Sequence, residues 1–177
     1  MKVKVMLDKK EYSYKPDNEV GLIKTRIKET EIEVSELAEK MGKGCTFFPA
    51  VLHGTKSCHW VEQQVFALDF DEGTTIDEQL ELCKQLNIMP VFGYTTFSHS
   101  EQKHKFRIAF VCDEVITDFH KRNMLQVTLV NTFNKSDWTV NSKLDNFFVG
   151  CFSKLYRCFI SKGRMNSYPI IPIYIIG

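Results

Sequence analysis

The pattern of apolar and polar positions is sharpest over residues 65–73, where an apolar run ends in two alternating acids and a glycine. This pattern predicts a β-strand, because successive side chains of a strand point to opposite faces. The apolar side chains on one face are Phe66, Leu68 and Phe70. Asp69 and Asp71 stand side by side on the other face, and Gly73 breaks the run. The strand is therefore expected to bury one face and to carry two carboxylates on the other.

The segments that follow predict an alternation of helices and strands. In order they are a helix opened by a capping box at Thr75 and Glu78, a strand over 91–97, a strand over 106–112, a helix over 118–133 capped by Thr117, and a short strand over 147–149. This β-α-β-β-α-β order is the RRM-like or ferredoxin-like arrangement, with four antiparallel strands and two helices on one face. We therefore predict an α+β fold with an open sheet face that carries Asp69 and Asp71.

The first sixty residues predict a smaller α/β unit. Alternation over residues 1–7 favours an edge strand, Ser35 can cap a helix over 36–41, and a strand over 45–51 is expected to end or lie at an edge because of Pro49. We predict a single domain. Its parts are an N-terminal α/β appendage over 1–60, the RRM-like core over 61–150 and a C-terminal strand extension over 151–177.

Composition places the chain among soluble globular proteins. Its 177 residues suit one domain, and 44% are hydrophobic and 25% charged. No apolar run is long enough to span a membrane, and residues 1–6 lack the apolar stretch of a signal peptide, so we expect a cytoplasmic protein without membrane contact. Six cysteines contain no CxxC pair and are expected to be reduced, buried thiols without zinc.

Charge is unevenly distributed along the chain. The whole chain carries +1, whereas residues 1–100 carry −4 and residues 101–177 carry +5. A basic half beside an acidic site suits a polyanionic substrate held next to cations. A solvated surface with chance asymmetry explains the same numbers.

The two alternating acids are candidate metal ligands. Adjacent carboxylates repel each other unless a cation lies between them, and Mg²⁺ and Mn²⁺ prefer such oxygen ligands. A third carboxylate near the last strand could complete the site, and Asp137 and Asp145 compete for that role. The plainer alternative is that Asp71-Glu72-Gly73 is a turn that ends the strand.

A second candidate group lies in the connection between the two middle strands. Its hydroxyl, imidazole and cationic side chains could hold phosphates, and they are Ser98, His99, Lys103, Lys105 and Arg107. Arg107 stands inside a predicted strand, where a charge needs a partner. Its alternation with Phe106 and Ile108 predicts that it lies on the same sheet face as Asp69 and Asp71. An exposed hairpin loop with solvated lysines is the alternative.

Residues 35–150 resemble the catalytic domain of the archaeo-eukaryotic primase superfamily, in particular the primase-polymerases of phages, plasmids and integrated elements. The segments that carry the resemblance are Glu36–Ala38, Lys43–Ala50, Glu62–Asp71, Thr96–Ser100 and Lys105–Phe110. Two positions differ from the family pattern. Arg107 stands where the family commonly has a histidine, and Asn146 stands where it often has an arginine, which points to reduced polymerase activity.

The resemblance implies roles for the candidate residues. Asp69, Asp71 and Asp137 correspond to the family's metal-binding acids, and Ser98 corresponds to the serine of its nucleotide-binding motif. His99, Lys103, Lys105 and Arg107 would orient the triphosphate with Ser98.

The implied function is that of a DNA-dependent primase/polymerase in replication of a phage or mobile element. Its cofactor would be Mg²⁺ or Mn²⁺, its substrates nucleoside triphosphates, and its partners a single-stranded DNA template and a helicase on the same or another chain. Two alternatives stay open. One is a non-catalytic single-strand-binding module that stacks bases on sheet aromatics. The other is a rolling-circle nickase, although such enzymes use a His-x-His pair and this sequence spaces His99 and His104 five apart.

Overall fold

The structure is a computed structural model that describes residues 1–54, 57–137, 148–149 and 159–160. These ranges contain nine strands and four α-helices. The strands are β1 (Lys2–Asp8), β2 (Lys28–Glu33), β3 (Thr46–Phe48), β4 (Ala50–Leu52), β5 (Trp60–Phe70), β6 (Phe92–Thr95), β7 (Phe106–Ile116), β8 (Phe148–Val149) and β9 (Phe159–Ile160). The helices are α1 (Val20–Arg26), α2 (Val34–Gly42), α3 (Ile76–Gln85) and α4 (Phe119–Thr132).

The strands form two antiparallel sheets, in agreement with a mixed α and β class. The first sheet has the order β2-β1-β3-β8 and the second the order β4-β5-β7-β6-β9. Pro49 separates β3 from β4 and marks the point where the chain passes from one sheet to the other. The single strand predicted over 45–51 is therefore two strands, since proline cannot donate to a continuous ladder.

Strand β1 is an interior strand, so the prediction of an edge strand at residues 1–7 is wrong. It pairs with β2 on one side and with β3 on the other. Its inward residues Val3, Val5 and Leu7 are at most 2% exposed. The alternation that suggested an edge arises because one face of the first sheet is buried and the other is in contact with solvent.

The predicted ferredoxin-like order holds for three strands of the second sheet. Strands β5, β7 and β6 lie side by side in the order expected for the first three strands of that arrangement. The predicted fourth strand, β8, pairs instead with β3 in the first sheet. The edge of β5 at which it was expected is occupied by β4, which pairs with β5 through residues 50–52.

The second sheet is covered on both faces. As predicted, α3 and α4 pack on the face that carries Phe66, Leu68 and Phe70. The opposite face was expected to be open, but the first sheet and α2 cover it. Residues from both sheets share this second core, among them Val5, Phe47, Val65, Ala67, Phe92, Tyr94, Ala109 and Val111. Apolar side chains on both faces of a sheet require a layer on each, and the acids lie at an end of the sheet that opens to a cavity.

Of the three N-caps predicted, at Ser35, Thr75 and Thr117, the one at Thr75 is confirmed and the other two are wrong. The capping box of α3 is confirmed, with Thr75 Oγ1 accepting from the Glu78 backbone N–H at 3.2 Å and the Glu78 carboxylate accepting from the Thr75 N–H at 2.8 Å. Helix α4 is capped by the next residue after the predicted Thr117, since Asp118 accepts from the Lys121 N–H at 2.8 Å. Helix α2 begins at Val34 without a side-chain cap.

Among the described residues, no helix has the length and apolar content that a membrane span requires. Four cysteines fall in these ranges and have free thiols. They are Cys45, Cys58, Cys83 and Cys112. Burial raises the pKa of Cys45 to about 11 and that of Cys83 to about 12. Cys58 is exposed, which corrects the expectation of burial for that residue, and Cys151 and Cys158 lie outside the described residues.

Candidate functional site

The two alternating acids lie where β5 ends. Asp69 is 3% exposed, Asp71 is half-buried, and Phe70 between them packs into the helix-side core. Gly73 follows with a φ of +77°, a conformation that glycine adopts without strain. The alternation thus gives two carboxylates on one face of the strand, at the end that the first sheet leaves accessible.

Asp137 joins this pair from the segment that follows α4. Its backbone N–H donates to the carbonyl oxygen of Asp69 at 2.8 Å, which fixes the segment against the end of β5. One carboxylate oxygen from each of Asp69, Asp71 and Asp137 lies within 4.8 Å of the others. This is the single cluster of three potential metal ligands in the part of the chain that the structure describes. The competing candidate, Asp145, lies outside the described residues.

Two cationic side chains, Arg107 on β7 and Lys105 just before it, neutralise part of the negative charge of the three carboxylates. Arg107 lies opposite Asp69 in the strand register, and its Nε donates to the Asp69 carboxylate. Lys105 Nζ lies 3.1 Å from a carboxylate oxygen of Asp71. With all five groups ionised, the cluster with Asp137 keeps a net negative charge, so a divalent cation is electrostatically favoured there.

The electrostatics of Asp69 are set mainly by burial. Burial raises the pKa of this carboxyl, Arg107 lowers it, and the neighbouring Asp71 and Asp137 raise it again, so that the net shift is upward. Burial lowers the pKa of the Arg107 guanidinium, but Asp69 and Tyr94 outweigh this effect and the net shift is also upward. Arg107 therefore stays charged beside Asp69.

A cavity of about 280 Å³ opens directly beside the acids. One wall consists of polar and charged side chains from the second sheet and the loop after β6, namely Asp69, Asp71, Thr96, Ser98, Lys105 and Arg107. The rest of the lining comes from Phe97 in the same loop and from an N-terminal wall, whose residues are Lys15, Pro16, Asp17, Val20 and Ile23. A cleft with cations and hydroxyls on one side and apolar groups on the other suits a small ligand that is itself part polar and part apolar.

The cavity brings together three of the five residues predicted to hold phosphates. Ser98, Lys105 and Arg107 line it, whereas His99 and Lys103 do not. Lys103 Nζ instead forms an ion pair with Glu72 at 2.7 Å. Lys103 and Glu72 border a second, more open cavity of about 520 Å³.

His99 has a structural contact of its own. Its Nδ1 accepts a hydrogen bond from the Lys105 backbone N–H at 3.1 Å, and its ring meets that of His104 edge-on. Burial and His104 lower the pKa of His99, which favours the neutral ring that this hydrogen bond requires. In this arrangement His99 holds the start of the segment that carries Lys105.

Local sequence patterns do not predict the part of the cavity lining that residues 15–23 provide. The sequence of residues 12–18 is typical of a turn around Pro16, and the charged residues 1–31 have only weak periodicity, which indicates no chemistry there. Residues 15–23 reach the acids only because the first sheet packs on the second, which is a long-range contact.

Comparisons with known proteins identify a fold. No family model matches the chain, and no curated protein matches it. Among solved structures, the archaeo-eukaryotic primase (AEP) domain of the cyanophage S-2L primase-polymerase is similar, with a TM-score of 0.54 and 13% sequence identity. The match covers 94% of this chain and 84% of that domain. The chain therefore shares the overall fold of a phage primase-polymerase domain at low sequence identity.

Proposed function

We propose that the protein is a nucleotidyltransferase of the primase-polymerase type, which adds nucleotides from nucleoside triphosphates to a strand on a single-stranded DNA template, with release of pyrophosphate and with Mg²⁺ or Mn²⁺ as cofactor. The observation that carries the proposal is the convergence of Asp69, Asp71 and Asp137 within 4.8 Å, beside a cavity lined by Lys105 and Arg107. The shared fold with a primase-polymerase domain supports the same chemistry.

The residues present fit a divalent metal. All three potential ligands are carboxylates, the donor type that hard cations such as Mg²⁺ and Mn²⁺ prefer. The three carboxylates are accompanied by two cations, Lys105 and Arg107, so a divalent cation would compensate the remaining negative charge. When bound, the metal would lower the pKa of a primer 3′-hydroxyl and neutralise charge on the leaving pyrophosphate.

The chain's own side chains would bind and orient the triphosphate. Arg107 presents a planar guanidinium that can bond two phosphate oxygens at once, and Lys105 adds a second positive charge from the same wall. Ser98 is exposed at the cavity and can donate its hydroxyl proton to a phosphate oxygen. Because transfer of a nucleotidyl group depends on positioning and charge stabilisation, these residues and the three acids supply what the reaction needs.

The burial of the sheet aromatics argues against the alternative of a base-stacking module. Such modules present aromatic side chains on an open sheet face. Here Phe92 is fully buried and Tyr94 is 3% exposed, because the first sheet covers that face. The aromatic side chains of this face are therefore not available for stacking with bases.

Incubation with Mn²⁺, labelled nucleotides, a primer and a single-stranded template tests the proposal. We expect primer extension by the wild type and a loss of more than about 100-fold in Asp71→Asn, since loss of a direct metal ligand should exceed the effect of losing an outer partner. Asp113→Asn is the matched control, because Asp113 is an exposed acid on β7 away from the cavity.

The other outcomes distinguish the alternatives. Template cleavage without extension would indicate a nickase, and binding without either reaction would indicate a binding module. Extension by Asp71→Asn at the wild-type rate, with the fold checked by circular dichroism, would contradict the proposed role of the acids.

A further inference from the structure

The N-terminal wall of the cavity differs in chemistry from the wall that carries the acids. Its members Pro16 and Ile23 are buried, and Val20 is 45% exposed at the cavity. The one cation on this wall, Lys15, is exposed and lies 3.0 Å from a carboxylate oxygen of Asp17. Apart from the Lys15–Asp17 ion pair, this wall is therefore apolar, and it provides no net positive charge that would bind a polyanion.

The wall is held in place by a network of polar contacts. Arg26, at the end of α1, donates from Nη2 to the buried carboxylate of Asp8 at 2.9 Å and also contacts the Tyr12 hydroxyl. Glu19, just before α1, accepts from Lys10 Nζ at 2.7 Å and from the Tyr12 hydroxyl at 3.1 Å. Both ends of the segment are thus tied to the first sheet and its connecting loop.

The backbone of the loop before this wall is also closely packed. Gly44 has a φ of +83°, and a Cβ at this position would lie 2.0 Å from the Tyr12 carbonyl oxygen. The Tyr12 N–H in turn donates to the Gly44 carbonyl at 3.3 Å. Because the network fixes the loop and α1 together, the width of the cavity is set before any ligand enters.

We propose that this wall holds the nucleoside part of the substrate, with Val20 as a specificity-determining residue; the inference rests on the proposed function. A nucleoside triphosphate has a polyanionic end and a largely uncharged sugar and base. The triphosphate belongs with the metal, Lys105 and Arg107 on the charged wall. The nucleoside is then left against Pro16, Val20 and Ile23, which bury its apolar surface.

A pair of matched substitutions on α1 tests this assignment. Val20 and Leu22 are both exposed, at 45% and 55%, on the same helix, but only Val20 lines the cavity. Val20→Phe should narrow the cavity at the nucleoside wall, whereas Leu22→Phe should place the same aromatic ring outside the cavity. Equilibrium binding in Mn²⁺ is measured for a nucleoside triphosphate and for inorganic tripolyphosphate, which has the phosphates without the nucleoside.

We expect Val20→Phe to weaken binding of the nucleoside triphosphate by more than about tenfold, a typical effect of overpacking, and to leave tripolyphosphate binding unchanged. Leu22→Phe should change neither. Unchanged nucleoside triphosphate affinity in Val20→Phe, or an equal loss for both ligands, would overturn the inference. Absence of nucleoside triphosphate binding by the wild type would instead contradict the proposed function itself.

Discussion

At the scale of single residues, the ion pair with Arg107 holds the Asp69 carboxylate in place in the free protein. Burying an ion pair removes water from both charges, and the attraction between the charges only partly offsets this free-energy cost. Such pairs therefore contribute little to stability. The pair of Arg107 with Asp69 is largely buried, with 15% of the arginine side chain and 4% of the aspartate exposed. The same ion pair keeps the planar guanidinium of Arg107 at the cavity, where it could bond two oxygens of a triphosphate.

Arg107→Lys should weaken nucleotide binding roughly tenfold or more, because the charge remains but one of two charge-assisted hydrogen bonds is lost. Titration with a nucleoside triphosphate in Mn²⁺ measures the effect. Arg122→Lys is the control, since Arg122 is also buried, at 4% exposure, but bonds Gln63 at the other end of β5. Equal affinities in Arg107→Lys and the wild type would make Arg107 a purely structural ion-pair residue.

Several residue positions in the site followed from local periodicity. The alternation predicted that Asp69, Asp71 and Arg107 share a face, and the register places Arg107 directly opposite Asp69. Asp137 was predicted only as one of two acids near the last strand, because nothing local fixes a loop residue against β5. Val20 could not be predicted at all, since its position beside the acids depends on how two sheets pack.

At the scale of elements, predictions held where the signal was confined to a few neighbouring residues. The strand–helix–strand–strand–helix order from β5 to α4 is confirmed, because period-2 and helical patterns are local. Pairing partners were predicted less well. Strand β8 pairs with β3 and not with β5, and β4 occupies the edge of β5. Neither segment's own sequence indicates which of β4 and β8 pairs with that edge of β5.

The capping box of α3 gives a stability prediction at this scale. Thr75→Ala removes the side-chain acceptor for the Glu78 N–H and should lower the free energy of unfolding by about 1 kcal/mol. Urea denaturation monitored by circular dichroism measures the change. Thr117→Ala is the matched control, because Thr117 precedes α4 but Asp118 supplies the cap. A similar loss in both variants would show that the effect comes from threonine in general and not from the capping box.

At the scale of the whole molecule, the packing of the two sheets defines the site. The first sheet covers the face of the second sheet that was predicted to be open, and its buried residues Val5 and Phe47 share a core with Val65. The sequence indicates which strand faces are apolar but not which faces meet, because contact between layers is set by the complete chain. This packing leaves the acids at an accessible end and brings residues 15–23 across from them.

The most direct test of the central claim is the position of manganese in crystals grown with Mn²⁺ and a non-hydrolysable nucleoside triphosphate. Anomalous scattering should place one or two Mn²⁺ ions in contact with Asp69, Asp71 and Asp137, which converge within 4.8 Å, with the phosphates beside Arg107 and Lys105. Manganese bound elsewhere, with Arg107 and Lys105 still paired to Asp69 and Asp71, would contradict the account.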